Sequence, residues 1–184
     1  MYEISFLNGE IFFALIWLAL RLAVWIRRGK IDWKREAMLL LMYVNLAVII
    51  RFAFFPMHWI DGRVQPLLFD AAAVYPFRIN LIPFVNLPDY DVKKELLLNL
   101  IGNVSMFIPS GIILPILFKR LDSFRKVLAA GAVISLCIEI IQLPFYTRAS
   151  DVDDLILNML GVAIGYGIFT LLGKRPGKDK KPLV

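Results

Sequence analysis

Apolar residues in this chain gather into five long blocks separated by short polar stretches. The blocks cover residues 11–26, 37–55, 96–118, 127–145 and 155–172. Each is close to the roughly 20 residues a helix needs to cross the hydrocarbon core of a bilayer. The pattern predicts an all-α, polytopic integral membrane helical bundle of about five transmembrane helices. One membrane domain, residues 1–172, accounts for nearly the whole chain, and a basic tail follows over 173–184. Between the second and third blocks lies the stretch 56–95, with apolar pieces at Trp59-Ile60, Leu67-Leu68-Phe69 and Leu81-Ile82-Pro83-Phe84-Val85. It is too long and too apolar for an idle connector. It is expected to fold back on the membrane surface in short interfacial or re-entrant pieces, because exposed backbone is not tolerated in lipid.

Composition agrees with the pattern. The 184 residues are 59% hydrophobic, with a mean hydropathy of +0.70, more apolar surface than a water-soluble domain of this size hides. The net charge of +6 changes the picture only through its distribution. Arg27, Arg28, Lys30, Lys34 and Arg35 lie between the first two blocks, Lys119, Arg120, Arg125 and Lys126 between the third and fourth, and five lysines and arginines in the tail. In a five-span chain these regions share one side, which the positive-inside bias makes the cytoplasm. The expected topology is therefore a plasma-membrane protein with its N-terminus outside, its C-terminus inside and residues 56–95 extracytoplasmic. The charge is topological, so nucleic acid is not expected as a partner. The start Met1-Tyr2-Glu3 lacks the basic region of a cleavable signal peptide. One cysteine and one histidine make an ordinary zinc site improbable on ligand count.

The topology brings distant polar residues to one depth. Asn99 and Asn103 on the third span, Glu139 and Gln142 on the fourth, and Asp151, Asp154 and Asn158 on the fifth all fall in the outer leaflet, with Arg51 near the same level. On a helix, Asp151, Asp154, Asn158, Gly161 and Gly165 form one stripe, polar above and flat below. Ionisable groups in a membrane segment are costly and mark functional sites by default. Plainer roles stand beside each. Glu139 can be half of a buried ion pair with Arg51, Arg78 or Arg148; Asn103 and Gln142 can be interhelical glue; Asp151 or Asp153 can cap a helix. The carboxylates could also bind a divalent cation, but their spacing is not that of an EF-hand, and no metal or cofactor is expected. Arg78 and Arg148 can pair with phosphate or neutralise the carboxylates. Catalysis by His58 is not expected.

Other positions read as structural. Arg21 is expected to snorkel to the headgroups, and Cys137 to be a small core residue. Gly161, Gly165 and Gly167 suit close helix approach. Pro109 and Pro115 are expected to kink the third span.

Several of these residues occur together in a recognisable order: Asn80-Leu81-Ile82-Pro83-Phe84, then Asn99-Leu100-Ile101-Gly102-Asn103 with Phe107, Pro109 and Gly111, then Glu139 and Gln142, then Arg148, Asp151, Asp154, Asn158, Gly161 and Gly165. This order resembles the VanZ-like family of bacterial membrane proteins over about Arg78 to Gly167, whereas the first two spans carry little family signal. The resemblance implies an association with resistance to teicoplanin, a lipid-tailed glycopeptide, but no settled mechanism and no catalytic residues. Residues and resemblance together lead to an outer-leaflet pocket that binds a lipid headgroup, a lipid-linked cell-wall precursor or the lipoglycopeptide. The expected ligand-binding residues are Arg78, Asn80, Asn99, Asn103, Glu139, Gln142, Arg148, Asp151, Asp154 and Asn158, with Arg78 and Asn80 as a lid. Two alternatives are an intramembrane hydrolase or transferase using Glu139 and Asp154 as acid and base, and an assembly scaffold whose polar cluster is structural. Binding is favoured over catalysis. Oligomeric state is open.

Overall fold

The computed structural model describes residues 2–55, 59–60, 63–75, 78–85 and 93–173. Among them are five α-helices: α1 (Phe6–Arg28), α2 (Trp33–Phe54), α3 (Lys93–Leu117), α4 (Phe124–Gln142) and α5 (Val152–Leu171). The protein is a helical, polytopic membrane protein. By length and composition α1, α2, α5 and the Leu96–Leu117 part of α3 can each cross a bilayer. The fourth expected span corresponds to α4, 19 residues that include Arg125, Lys126 and Glu139.

Local chemistry explains where the helices differ from the apolar blocks. Ser5 caps α1, its hydroxyl accepting from the Asn8 N–H at 3.2 Å, so the helix starts before the polar Asn8-Gly9-Glu10. Asp32 caps α2 in the same way, and Gly29 closes α1 in the left-handed conformation at φ 62°. α4 stops at Gln142 rather than 145, because Pro144 pushes Leu143 out of helical geometry. α3 runs through both Pro109 and Pro115.

Among the described residues there are also six short strands: β1 (Tyr2–Ile4), β2 (Trp59–Ile60), β3 (Arg63–Val64), β4 (Leu67–Phe69), β5 (Ile79–Asn80) and β6 (Ser150–Asp151). Of these, β2, β3, β4 and β5 belong to the long connection, which was expected to fold in short pieces. Pairing satisfies the backbone of an apolar segment without burying it in lipid.

The chain divides into two compact units. The first comprises Met1–Arg78 and Ile141–Ala149. In it, β4 pairs antiparallel with β1, Tyr2 opposite Phe69 and Ile4 opposite Leu67. The other edge of this strand meets residues 144–146: Asp70 N–H donates to the Pro144 carbonyl at 2.9 Å, and Tyr146 N–H to the Leu68 carbonyl at 3.0 Å. Phe54, Phe69 and Phe145 stack edge to face below it. The α1–α2 hairpin is held by Phe13 and Trp17 against Tyr43 and by an ion pair between Arg21 and Glu36, whose side chains are each 12% exposed. Arg21 is therefore a partnered residue, not a snorkelling one.

The second unit comprises Ile79–Ile140 and Ser150–Val184. Its core is the contact of α3 with α5. A Cβ on Gly161 would lie 2.2 Å from the Val104 carbonyl oxygen, and one on Gly165 would lie 2.1 Å from that of Ile108. Reciprocally, a Cβ on Gly111 would lie 2.2 Å from the Val162 carbonyl oxygen. The backbones touch, in the arrangement in which Cα–H···O contacts form between membrane helices. α4 joins through Gly131 against the fully buried Val162. Gly167, expected in the same seam, has open space where its Cβ would be. Cys137, expected in the core, is exposed. It lies about 200° around α4 from the buried Ser135 and Glu139. His58 and residues 174–184 lie outside the described residues.

Candidate functional site

The second unit gathers most of the expected polar residues at the start of α5. Asp151 occupies the N-cap, and its carboxylate accepts from the Asp153 N–H at 2.9 Å. Its own N–H donates to Glu139 Oε2 at 3.0 Å. Glu139 is only 4% exposed, so α4 brings a carboxylate beneath the first turn of α5. An acidic group gains there from the helix dipole and loose amides.

The same carboxylates hold the preceding loop. β5 pairs in parallel with β6, placing Asn80 beside Asp151. The Asn80 amide donates to both Asp151 oxygens at 3.1 and 3.2 Å, while its Oδ1 accepts from Ile82 N–H at 3.1 Å. Phe84 N–H donates to both oxygens of Asp153, at 2.8 and 3.1 Å. Phe84 has φ 61°, a conformation that costs an aromatic residue energy and persists only where surroundings enforce it. The Asp153 carboxylate is one such constraint; Pro83 before it is another. Between these anchors Leu81, Ile82 and Phe84 project outward, 74%, 64% and 48% exposed.

From α3, Asn103 donates to Asp154 Oδ1 at 2.5 Å and to Asn99 Oδ1 at 3.3 Å. Asn99 is exposed and Asn103 half-buried. One turn deeper, Asn158 donates to Ser135 Oγ at 2.9 Å. Asn158 is 4% exposed, and its Oδ1 has no hydrogen-bond partner among the described residues. The unit thus brings together Asn80, Asn99, Asn103, Glu139, Asp151, Asp154 and Asn158.

Arg78, Gln142 and Arg148 belong to the first unit, where they bond backbone carbonyls. Arg78 donates to Phe145 O at 2.7 Å and to Tyr146 O, with its guanidinium over the Tyr146 ring. Gln142 donates to Ala53 O at 2.6 Å and Arg148 to Phe54 O at 2.9 Å. Arg51 bonds Phe55 O and stacks on Phe6. These contacts give all four residues structural work at helix and strand ends.

Sequence reasoning missed two participants, Ser135 and the Phe84 amide, and one role. Ser135 stands four residues before Glu139 on α4, so a polar stripe 135-139-142 was available as a signal. Asp153 reads in the sequence as a cap or as one of the carboxylates around a cation; in the structure it anchors a loop. The Phe84 amide had no signal, because main-chain donors are silent in a sequence.

The family model described as VanZ/LLP1 matches residues 40–173, which include every residue of this cluster. The chain belongs to the VanZ/LLP1 family. The match begins within α2, earlier than the motifs from Arg78 onward had suggested, so the second helix carries family signal after all. The chain is also similar to Protein VanZ of Enterococcus faecium, 34% identical over 102 residues, 55% of this chain and 58% of that protein. It thus spans just over half the length of that VanZ relative. No solved structure matches.

Proposed function

We propose that this VanZ/LLP1 protein binds the polar part of an amphipathic cell-envelope ligand at the start of α5, on the outer side of the plasma membrane. The ligand is a lipid headgroup, a lipid-linked cell-wall precursor or a lipoglycopeptide, and the consequence is protection against glycopeptides such as teicoplanin. One observation carries the reading: Glu139, Asp151, Asp153 and Asp154 converge with Asn80, Asn99 and Asn103 beside an apolar loop. A carboxylate- and amide-lined mouth favours a ligand rich in O–H, N–H or ammonium donors, such as a sugar or an amine. The projecting Leu81, Ile82 and Phe84 favour one that also has a lipid tail. Glu139 and Asp154 are each held by a hydrogen bond from a neighbour, which supports binding over acid–base turnover.

The orientation belongs to the same proposal. Pairing of β1 with β4 supports the N-terminus and the long connection sharing one side, as two intervening crossings would require. The basic turns after α1 and α3 then face the cytoplasm.

The test is antibiotic susceptibility in a Gram-positive host expressing wild type, Asp154→Asn or Glu139→Gln at matched membrane levels. Protection against teicoplanin but not vancomycin, lost in both variants, is expected. Variants that protect as well as wild type would sink the assignment of the site. Variants whose membrane level cannot be matched to wild type would favour the scaffold reading.

A further inference from the structure

The other end of the second unit carries a feature that the α5 site does not use. A groove of about 580 Å³ runs between the end of α3 and the first half of α4. That is within the size range of small-molecule sites. Leu114 and Phe118 form one wall, and Ala129, Ala130, Val133 and Ile134 the other. These α4 positions recur at helical spacing on one face, and the two alanines make the trough. Leu114 is 4% exposed, whereas Val133 is 61% exposed. The groove therefore has a packed floor and an open, apolar flank.

Its mouth is basic. Arg120 and Lys126 border it, and the stretch 119–126 carries four cations against the single carboxylate of Asp122. Asp122 bonds the Lys126 ammonium at 2.7 Å, which holds that group at the rim. An ammonium has three donors, so two remain for another anion. Arg120 adds a planar fork suited to phosphate oxygens. An apolar trough opening between membrane helices beneath a cationic rim is complementary to a molecule with a phosphate at one end and a hydrocarbon chain at the other.

We propose that this groove is a binding site for an anionic glycerophospholipid, with its phosphate between Arg120 and Lys126 and an acyl chain along Val133 and Ile134. Phe118 lies 15 residues along the helix from Asn103, about 20 Å away, so the site is separate from the one at α5.

Native mass spectrometry on the intact, delipidated protein tests this, using phosphatidylglycerol and phosphatidylcholine with identical acyl chains. Wild type should retain phosphatidylglycerol about tenfold better. Arg120→Gln with Lys126→Gln should bind the two lipids alike, whereas Arg27→Gln with Arg28→Gln, in the other basic turn, should keep the preference. Val133→Trp, which fills the trough, should weaken both lipids. Glycerol phosphate, which lacks acyl chains, should not compete; competition by it would point to a simple anion site and overturn the lipid assignment. Equal retention by wild type, or a preference that survives the Arg120/Lys126 change, would also overturn it. Thermal unfolding confirms that the variants are folded; their charged positions are exposed, so removing them leaves the core intact.

Discussion

Asp151 joins three pieces of structure with one side chain and one amide. Its carboxylate caps α5 and receives the Asn80 amide, while its N–H is taken by Glu139. Removing an N-cap costs about 1 kcal/mol, and this one also releases a loop. Asp151→Ala should therefore lower stability by about 1–2 kcal/mol, measured by thermal unfolding in detergent. Faster hydrogen exchange over 79–85 should accompany it. Asp151→Asn keeps the acceptor oxygen and should lose less. The candidate carboxylates were visible in the sequence because charge at the edge of an apolar run stands out. Their partners were not. Asn80 and Asp151 are 71 residues apart, and nothing in the local pattern says that they meet.

At the scale of elements, the seam between α3 and α5 depends on absent side chains. Gly165→Ala would place a methyl group 2.1 Å from the Ile108 carbonyl oxygen and force the helices apart. A loss of about 2–3 kcal/mol is expected, as for overpacking of a core. Gly167 on the same helix is the control, since nothing lies within 4 Å of its added Cβ. Gly167→Ala should raise stability by about 0.5–1 kcal/mol through helix propensity. Unfolding of both variants in one detergent measures the contrast. The helices themselves were legible, because long apolar runs admit few other structures. Their ends were less so: α1 and α5 begin earlier than the apolar blocks because Ser5 and Asp151 cap polar first turns. The strands left no trace, as two or three residues of β1 pairing across more than sixty positions have no periodicity to detect.

For the whole molecule, the arrangement across the membrane can be read out with cysteine variants, because the native chain has a single cysteine. In a Cys137→Ser background, Gly29→Cys and Ser123→Cys should react with an impermeant maleimide only after cells are opened. Tyr75→Cys and Tyr146→Cys, at residues 79% and 59% exposed, should react on intact cells. The reverse pattern would turn the α5 site toward the cytoplasm and end its link with envelope ligands outside. Charge bias is what carries the expectation of this arrangement. A ligand is not legible in the sequence, because a cluster of carboxylates and amides narrows a class of molecules without selecting one.

The Arg21–Glu36 pair bears on how the chain enters the membrane at all. None of the residues of α1 is fully buried, and Phe13, Trp17 and Arg21 lean on α2. An arginine within a lone membrane helix is costly to insert, up to about 2.5–3.5 kcal/mol at the helix centre. When Glu36 arrives beside it, the ion pair offsets part of that cost. Biogenesis of this protein should therefore proceed two helices at a time. A nascent chain stopped before Asp32 should partition into microsomal membranes less completely than one extended through Phe54, and Glu36→Gln should make the longer chain behave like the shorter.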